Sequence, residues 1–214
     1  MHRCMSDSAH DKEHVYRVLA NAMVIAKQEQ SVDYDVLICA CLLHDIGRAD
    51  QLADPSVCHA QVGAQKAFVY LLDNDYGEDF AQLVADAIRT HRFRKNAPPE
   101  TLEAKILFDA DKLDVVGAIG IARTLAYQGT VGAPLYTRTA DGKISDGNGD
   151  ETPSFFQEYH YKLTKLYDRF YTQAGAQLAR ERKESAERFY EDLRYQLSSL
   201  DQQGGEYLSS LLKG

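Results

Sequence analysis

Three stretches of the chain carry side chains able to do chemistry: EHVYRV at 13–18, LLHDIGRAD at 42–50 and LFDADKLD at 107–114. The centre of interest is His44-Asp45, at the end of the most apolar run, Val36–Leu43. An imidazole and an ionised carboxylate are costly to bury side by side unless something satisfies them. A divalent metal does so, because it accepts imidazole nitrogen and carboxylate oxygen together. A buried His–Asp hydrogen bond or a helix C-cap would serve a lone pair equally well. This pair has company. His14 lies beside the apolar stripe of the first helical segment, and Asp111 sits within the apolar stretch 106–116. The set His … His-Asp … Asp comes from three segments that a helical bundle can bring together.

The elements that must position these residues read as helix after helix. Asp11–Gln28 repeats apolar residues at Val15, Val18, Leu19, Ala22 and Ile25, a 3.6-residue period. Ser31 or Asp33 can cap the next helix, and Gly47 and Pro55 mark its end and the loop after it. A third helix is expected from His59 to about Leu72, a fourth ending near His91, and a long fifth from Glu100 to Tyr127, bent near Gly117 or Gly120. Ser154–Tyr171 and Thr172–Gln203 read as two more. No strand of convincing length appears, so the expected fold class is all-α. Residues 127–153 form a Gly-rich segment, with a short hairpin around Asp141-Gly142 and the character of a lid. The expected organisation is a metal-binding helical core over 10–126, this loop, and C-terminal helices over 154–214 that cover the core or pair with another copy as a homodimer.

At 214 residues, one domain is expected. With 24 Lys+Arg against 32 Asp+Glu the net charge is −8, which argues against capture of a nucleic acid polymer or an anionic membrane. The apolar run Val36–Leu43 is far shorter than a bilayer requires. Four cysteines without a C-x-x-C pair, and no apolar leader at the N-terminus, make a reduced cytoplasmic setting the default. Neither G-x-x-x-x-G-K-[ST] nor G-x-G-x-x-G occurs, and no G-x-S-x-G elbow.

The motifs, taken as a set, resemble the HD superfamily of metal-dependent phosphohydrolases, and most closely its branch of small bacterial-type members. The likeness rests on His14 with Arg17-Val18, on LLHDIG at 42–47, on Ala110-Asp111-Lys112-Leu113 and on GAIGIAR at 117–123. It covers residues 10–126 well and the later helices more loosely. The resemblance implies an HD-domain helical bundle with additional C-terminal helices, in which His14, His44, Asp45 and Asp111 bind a divalent metal. Asp109 competes for the last place, but lies about 200° around a helix from Asp111, so both cannot face one ion. Asp109 and Asp114 are then expected behind the ligands or in salt bridges. His59 and His91 fall where related proteins hold a second metal or face the phosphate.

The nitrogen and oxygen donors suit Mn²⁺, Fe²⁺, Co²⁺, Ni²⁺, Zn²⁺ or Mg²⁺. Arg48, Lys112 and Arg17 are the expected phosphate-binding cations, and Arg89, Arg92, Arg94 and Lys95 form a further basic cluster around His91. The implied activity is metal-assisted hydrolysis of a phosphoester or phosphoanhydride in a small phosphorylated substrate, a nucleotide by analogy with the branch. The alternatives are a di-iron oxygenase on the same ligands and a non-catalytic signalling or binding module.

Overall fold

The computed structural model describes residues 12–92 and 98–212. Among these there are nine α-helices and one 3-10 turn, with no β-strand beyond the isolated antiparallel bridge Arg138–Ile144. The all-α expectation holds. No described helix is long and apolar enough to cross a membrane. Two compact units divide the chain: residues 12–114 with Arg169–Leu178, and Val115–Asp168 with the residues from Ala179 on.

The first unit contains α1 (Lys12–Ala26), α2 (Tyr34–Leu43), α3 (Arg48–Ala53), α4 (His59–Leu72), α5 (Glu78–Thr90) and α6 (Leu102–Leu113). The stripe of α1 is buried as its period requires: Val15, Val18, Ala22 and Ile25 are inaccessible, and so are Leu37, Ala40 and Cys41 of α2. Asp33 caps α2, its Oδ1 accepting from the backbone N–H groups of Asp35 and Val36. Thr101 caps α6 through Ala104 N–H. Asn21 of α1 donates to the Ala110 carbonyl of α6, holding the two helices in register at the level of Asp111.

Two local readings of the sequence are corrected. The segment after Gly47, expected as loop, forms the short helix α3. It buries no residue, so it carries no apolar period to detect. The expected long fifth helix is broken into α6 and α7 (Gly117–Val131) rather than bent. Gly117 adopts φ +66°, a left-handed conformation that glycine reaches without steric cost. An apolar run through Val115 and Val116 conceals that break.

In the second unit, Tyr167 and Ser185 accept from the first N–H groups of α7, at Gly117 and Ala118. The expected hairpin is present: Thr139 N–H donates to Lys143 O and Ser145 N–H to Thr137 O, with Gly142 at φ +82°. The helix expected over Ser154–Tyr171 stops early. It consists of α8 (Phe155–Tyr161) and the 3-10 turn Leu163–Lys165. Tyr159 of α8 stacks on Tyr190 at 4.1 Å between ring centres. The last helix, α9 (Gln173–Leu212), outruns its expected end.

Within the first unit, α6 holds the segment 169–178 through Asp109. This buried carboxylate accepts from Tyr171 N–H, Thr172 N–H and the Thr172 hydroxyl, at 2.6–3.1 Å. Thr172 Oγ1 in turn accepts from Gly175 N–H, capping the first turn of α9.

Candidate metal centre

Six side chains converge in the first unit. His14 comes from α1, His44 caps the C-terminus of α2 with Asp45 following, His59 opens α4, His91 caps the C-terminus of α5, and Asp111 lies near the end of α6. The four histidines and Asp45 are all buried, at 5% exposure or less. They form two groups that could hold a metal ion, His14/His44/Asp45 and Asp45/His59/His91, and both include Asp45.

The two oxygens of Asp45 face different histidines. Oδ2 lies 3.7 Å from His14 Nε2 and 3.9 Å from His44 Nε2. Oδ1 lies 3.4 Å from His59 Nε2 and 3.8 Å from His91 Nε2. Asp111 Oδ1 stands 3.5 Å from His14 Nε2. Within the pairs, the Nε2 atoms of His14 and His44 are 3.3 Å apart, and those of His59 and His91 are 3.2 Å apart.

The far side of the ring fixes the tautomer of His14, His44 and His91. His14 Nδ1 donates to Asp114 Oδ2 at 2.7 Å, His44 Nδ1 to the Cys41 carbonyl at 2.8 Å and His91 Nδ1 to the Ile88 carbonyl at 2.6 Å. His59 Nδ1 lies 2.6 Å from Gln51 Oε1. With those protons on Nδ1, the Nε2 atoms of His14, His44 and His91 present lone pairs to the centre, whereas His59 Nδ1 faces both Gln51 Oε1 and the Arg48 guanidinium. The lone pairs of His14 and His44, facing each other at 3.3 Å, repel. Asp45 Oδ2, buried, has no hydrogen-bond partner among the described residues. A divalent ion resolves both problems, since ligands held at about 2.1 Å from one ion stand roughly 3–3.5 Å apart. The donor set fits such an ion, and the outward Nδ1–H bonds are those that metal-ligating histidines make.

Burial pushes the His59 imidazole down to about 3 and His91 to about 4, each helped by its cationic or imidazole neighbours, so both are neutral ligands at pH 7. Burial alone would raise the Asp45 carboxyl, but the Coulombic pull of His44, His91 and His14, exerted by the rings when protonated, outweighs it and holds the carboxyl below the usual range. Asp111 is lowered in the same way, with Lys112 as the strongest opposing influence to burial.

The expected cations fall in different places. Arg48 Nη1 donates to Gln51 Oε1 and stands 3.0 Å from His59 Nδ1. Arg92 Nη1 is 3.4 Å from the same nitrogen. Lys112 Nζ lies 3.2 Å from Asp111 Oδ2 and over the Phe108 ring. Arg17 clasps Asp114 through Nε and Nη2. Arg89 pairs with Asp86 on the surface. Arg94 and Lys95 lie outside the described residues. Asp109 faces away from the centre, toward Thr172.

Sequence reasoning missed Gln51, which sits behind His59, and left the partner of Asp114 open. Asp114 follows Asp111 by one helical turn and shares its face, a spacing that points it at whatever Asp111 approaches.

The HD domain family model matches residues 12–116. The uncharacterized protein YpgQ of Bacillus subtilis is 29% identical over 198 residues, 91% of this chain and 87% of that one. Its crystal structure in complex with ADP superposes with a TM-score of 0.71 at 27% identity, covering 92% of this chain and 94% of that chain. An HD-superfamily hydrolase from Bacillus thuringiensis is 30% identical with a TM-score of 0.66, covering 88% of this chain and 86% of its own. The chain belongs to the HD superfamily of hydrolases.

Proposed function

We propose that the protein is a metal-dependent phosphohydrolase that cleaves a phosphoester or phosphoanhydride bond in a small phosphorylated compound, a nucleotide. The observation that carries this reading is Asp45, whose two oxygens serve two separate histidine pairs. In this reading His14, His44, Asp45 and Asp111 hold one divalent ion, and Asp45, His59 and His91 hold a second. Ions bound there supply Lewis-acid polarisation of a phosphoryl oxygen and a bound water acidic enough to ionise near neutral pH.

The chain's own residues do the rest. Arg48, Arg92 and Lys112 place positive charge beside the ligands, where it offsets the charge that grows on phosphate oxygens in the transition state. Burial of the ligands keeps bulk water out and strengthens each of those interactions. Asp114 and Gln51 lock the rings of His14 and His59, so the donors need no rearrangement when substrate arrives. Arg17 holds Asp114 in place from its other side. The binding of ADP by YpgQ supports a nucleotide as the phosphorylated compound.

The test is a metal analysis of the purified protein coupled to hydrolysis of a panel of nucleoside di- and triphosphates and phosphomonoesters, with Mn²⁺, Co²⁺, Ni²⁺, Zn²⁺, Fe²⁺ or Mg²⁺ added. Release of phosphate or pyrophosphate that is lost in His44→Ala and Asp45→Ala is the expected result. No release from any substrate with any of the metals overturns the reading.

A further inference from the structure

The second half of α9 carries an apolar stripe that its own fold does not bury. Between Ala179 and Tyr190 the buried residues of this 40-residue helix are Ala179, Ala186 and Tyr190, which share one face. Beyond Tyr190 that face continues as Leu193, Leu197, Leu200, Gly204, Tyr207 and Leu211, spaced alternately four and three residues apart. Here it is open to solvent: Leu200 and Tyr207 are each 68% exposed, and Leu211 60%. No charged or amide side chain falls within that arc, while Asp192, Ser198, Gln202, Glu206 and Ser209 take the rest of the surface. The hairpin around Gly142 lies against this polar side, where Arg138 donates to both oxygens of Asp201. The apolar side is left without the packing that stabilises a helix.

The occupant must bring an equally long apolar strip with no charge in it, and a second copy of α9 does so. The rims of the stripe decide how two copies meet. Of the charged residues of α9 beyond Tyr190, Arg194 and Asp201 alone border the stripe, on the same rim and with opposite signs. A two-fold axis across the stripe beside Ser198 sets Arg194 of one copy against Asp201 of the partner subunit, twice. The same axis sets Leu197 against the partner's Leu200 and Leu193 against the partner's Gly204. On the opposite rim it sets Phe189 against the partner's Tyr207. Phe189 is half-exposed, and an added Cβ at Gly204 would meet nothing within 4 Å, so both positions are open. Asp201 can accept from a second donor, since a carboxylate offers about four acceptor sites. A parallel pairing leaves both charges without a counter-charge.

We propose that the exposed stripe of α9 is a self-association surface, on which a second copy of this chain docks its own α9 antiparallel. Leucines fill the centre of that interface, and Arg194–Asp201 ion pairs close one rim. An isologous contact of this kind needs a patch complementary to itself, and a charge-free stripe with one cation and one anion placed evenly about its middle is such a patch. Five or six stripe residues per copy, each burying about 100 Å², reach the roughly 1,000 Å² that a specific interface needs.

The experiment is sedimentation velocity on dilution series of the full chain at low ionic strength, where rim charges are least screened. The wild type is expected to sediment as a dimer that dissociates on dilution, and Leu197→Glu/Leu200→Glu as a monomer. Arg194→Asp and Asp201→Arg each set like charges opposite one another, and each raises the dimer dissociation constant roughly ten-fold. An equimolar mixture of these two single variants restores opposite charges at both pairs, so a heterodimer forms with an affinity within about three-fold of the wild type. A parallel pairing gains nothing from mixing, nor does a variant that has failed to fold, so a mixture no stronger than its components overturns the proposal. A dimer untouched by Leu197→Glu/Leu200→Glu lies on another surface and overturns it too. So does a wild type that stays monomeric up to about 0.5 mM, and flotation of that monomer with phosphatidylcholine vesicles would assign the stripe to a lipid surface instead.

Discussion

Asp114 lies 100 residues after His14 in the chain and 2.7 Å from it in the fold. Its carboxylate is fully buried, with one face on the His14 Nδ1–H and the other clasped by Arg17. The pairing fixes which nitrogen of His14 is left to donate its lone pair. Asp114→Asn keeps the shape but makes the contact with His14 neutral and weaker. Loss of such an outer partner reduces metal affinity by about 10–100-fold. Equilibrium dialysis against Mn²⁺ checks this, and unchanged affinity would show that Asp114 serves only Arg17.

Asp45 joins the two histidine pairs, so substitutions have graded effects on metal content. Asp45→Ala empties both groups, while a His59→Ala/His91→Ala double variant removes only the second. Metal analysis of protein loaded with Mn²⁺ and desalted is expected to give two ions per chain for the wild type, one for the double variant and none for Asp45→Ala. One ion in the wild type, retained in the double variant, would instead assign His59 and His91 to the phosphate.

Much of this centre is legible in the sequence because its parts are short and local. His44-Asp45 closes the most apolar helix, and a polar pair there demands a partner. His44 and His91 both sit at helix C-termini, where Nδ1 reaches a carbonyl three residues back. The face of α6 follows from arithmetic alone: Asp111 and Asp114 share it, and Asp109 does not. What the sequence hides is of two kinds. Long-range partners, such as Asp114 for His14, leave no periodic trace. The break between α6 and α7 is also hidden, because Val115 and Val116 continue the apolar pattern while the backbone turns at Gly117.

Asp109 and Asp111 are two residues apart and give opposite phenotypes. Asp109 accepts three donors from Tyr171 and Thr172 and anchors the start of α9, whereas Asp111 faces His14. Asp109→Ala leaves those buried donors unsatisfied and costs about 1–3 kcal/mol in stability, with the metal retained. Asp111→Ala loses metal affinity and keeps most of its stability. Urea denaturation and metal analysis on the same two preparations separate the outcomes.

Gly47, between the HD pair and α3, is required for space rather than for conformation. Its φ of −88° is open to any residue, but an added Cβ would lie 2.4 Å from the His59 carbonyl and 2.6 Å from Gly63 N. Both obstacles are backbone, so the loop carrying His44 and Asp45 must move relative to α4. Gly47→Ala is expected to cost about 1–3 kcal/mol and to weaken metal binding, because His59 moves relative to Asp45. Wild-type urea midpoint and wild-type Mn²⁺ affinity in this variant would show that the contact yields without cost.

Without an ion, the folded chain holds the Nε2 atoms of His14 and His44 lone pair to lone pair at 3.3 Å. That repulsion exists only in the native state, since the unfolded chain scatters the histidines. Metal binding therefore stabilises the fold both by mass action and by relieving a native-state cost. At a free metal concentration 100 times the dissociation constant, mass action alone contributes about 2.7 kcal/mol. Thermal melts in a Mn²⁺ series are expected to rise in midpoint with concentration and to fall on adding a chelator. His44→Ala, which removes one of the facing nitrogens, should melt above the wild type in chelator and below it in saturating Mn²⁺. A wild type whose midpoint is indifferent to metal would mean that these histidines are satisfied within the protein and hold no ion.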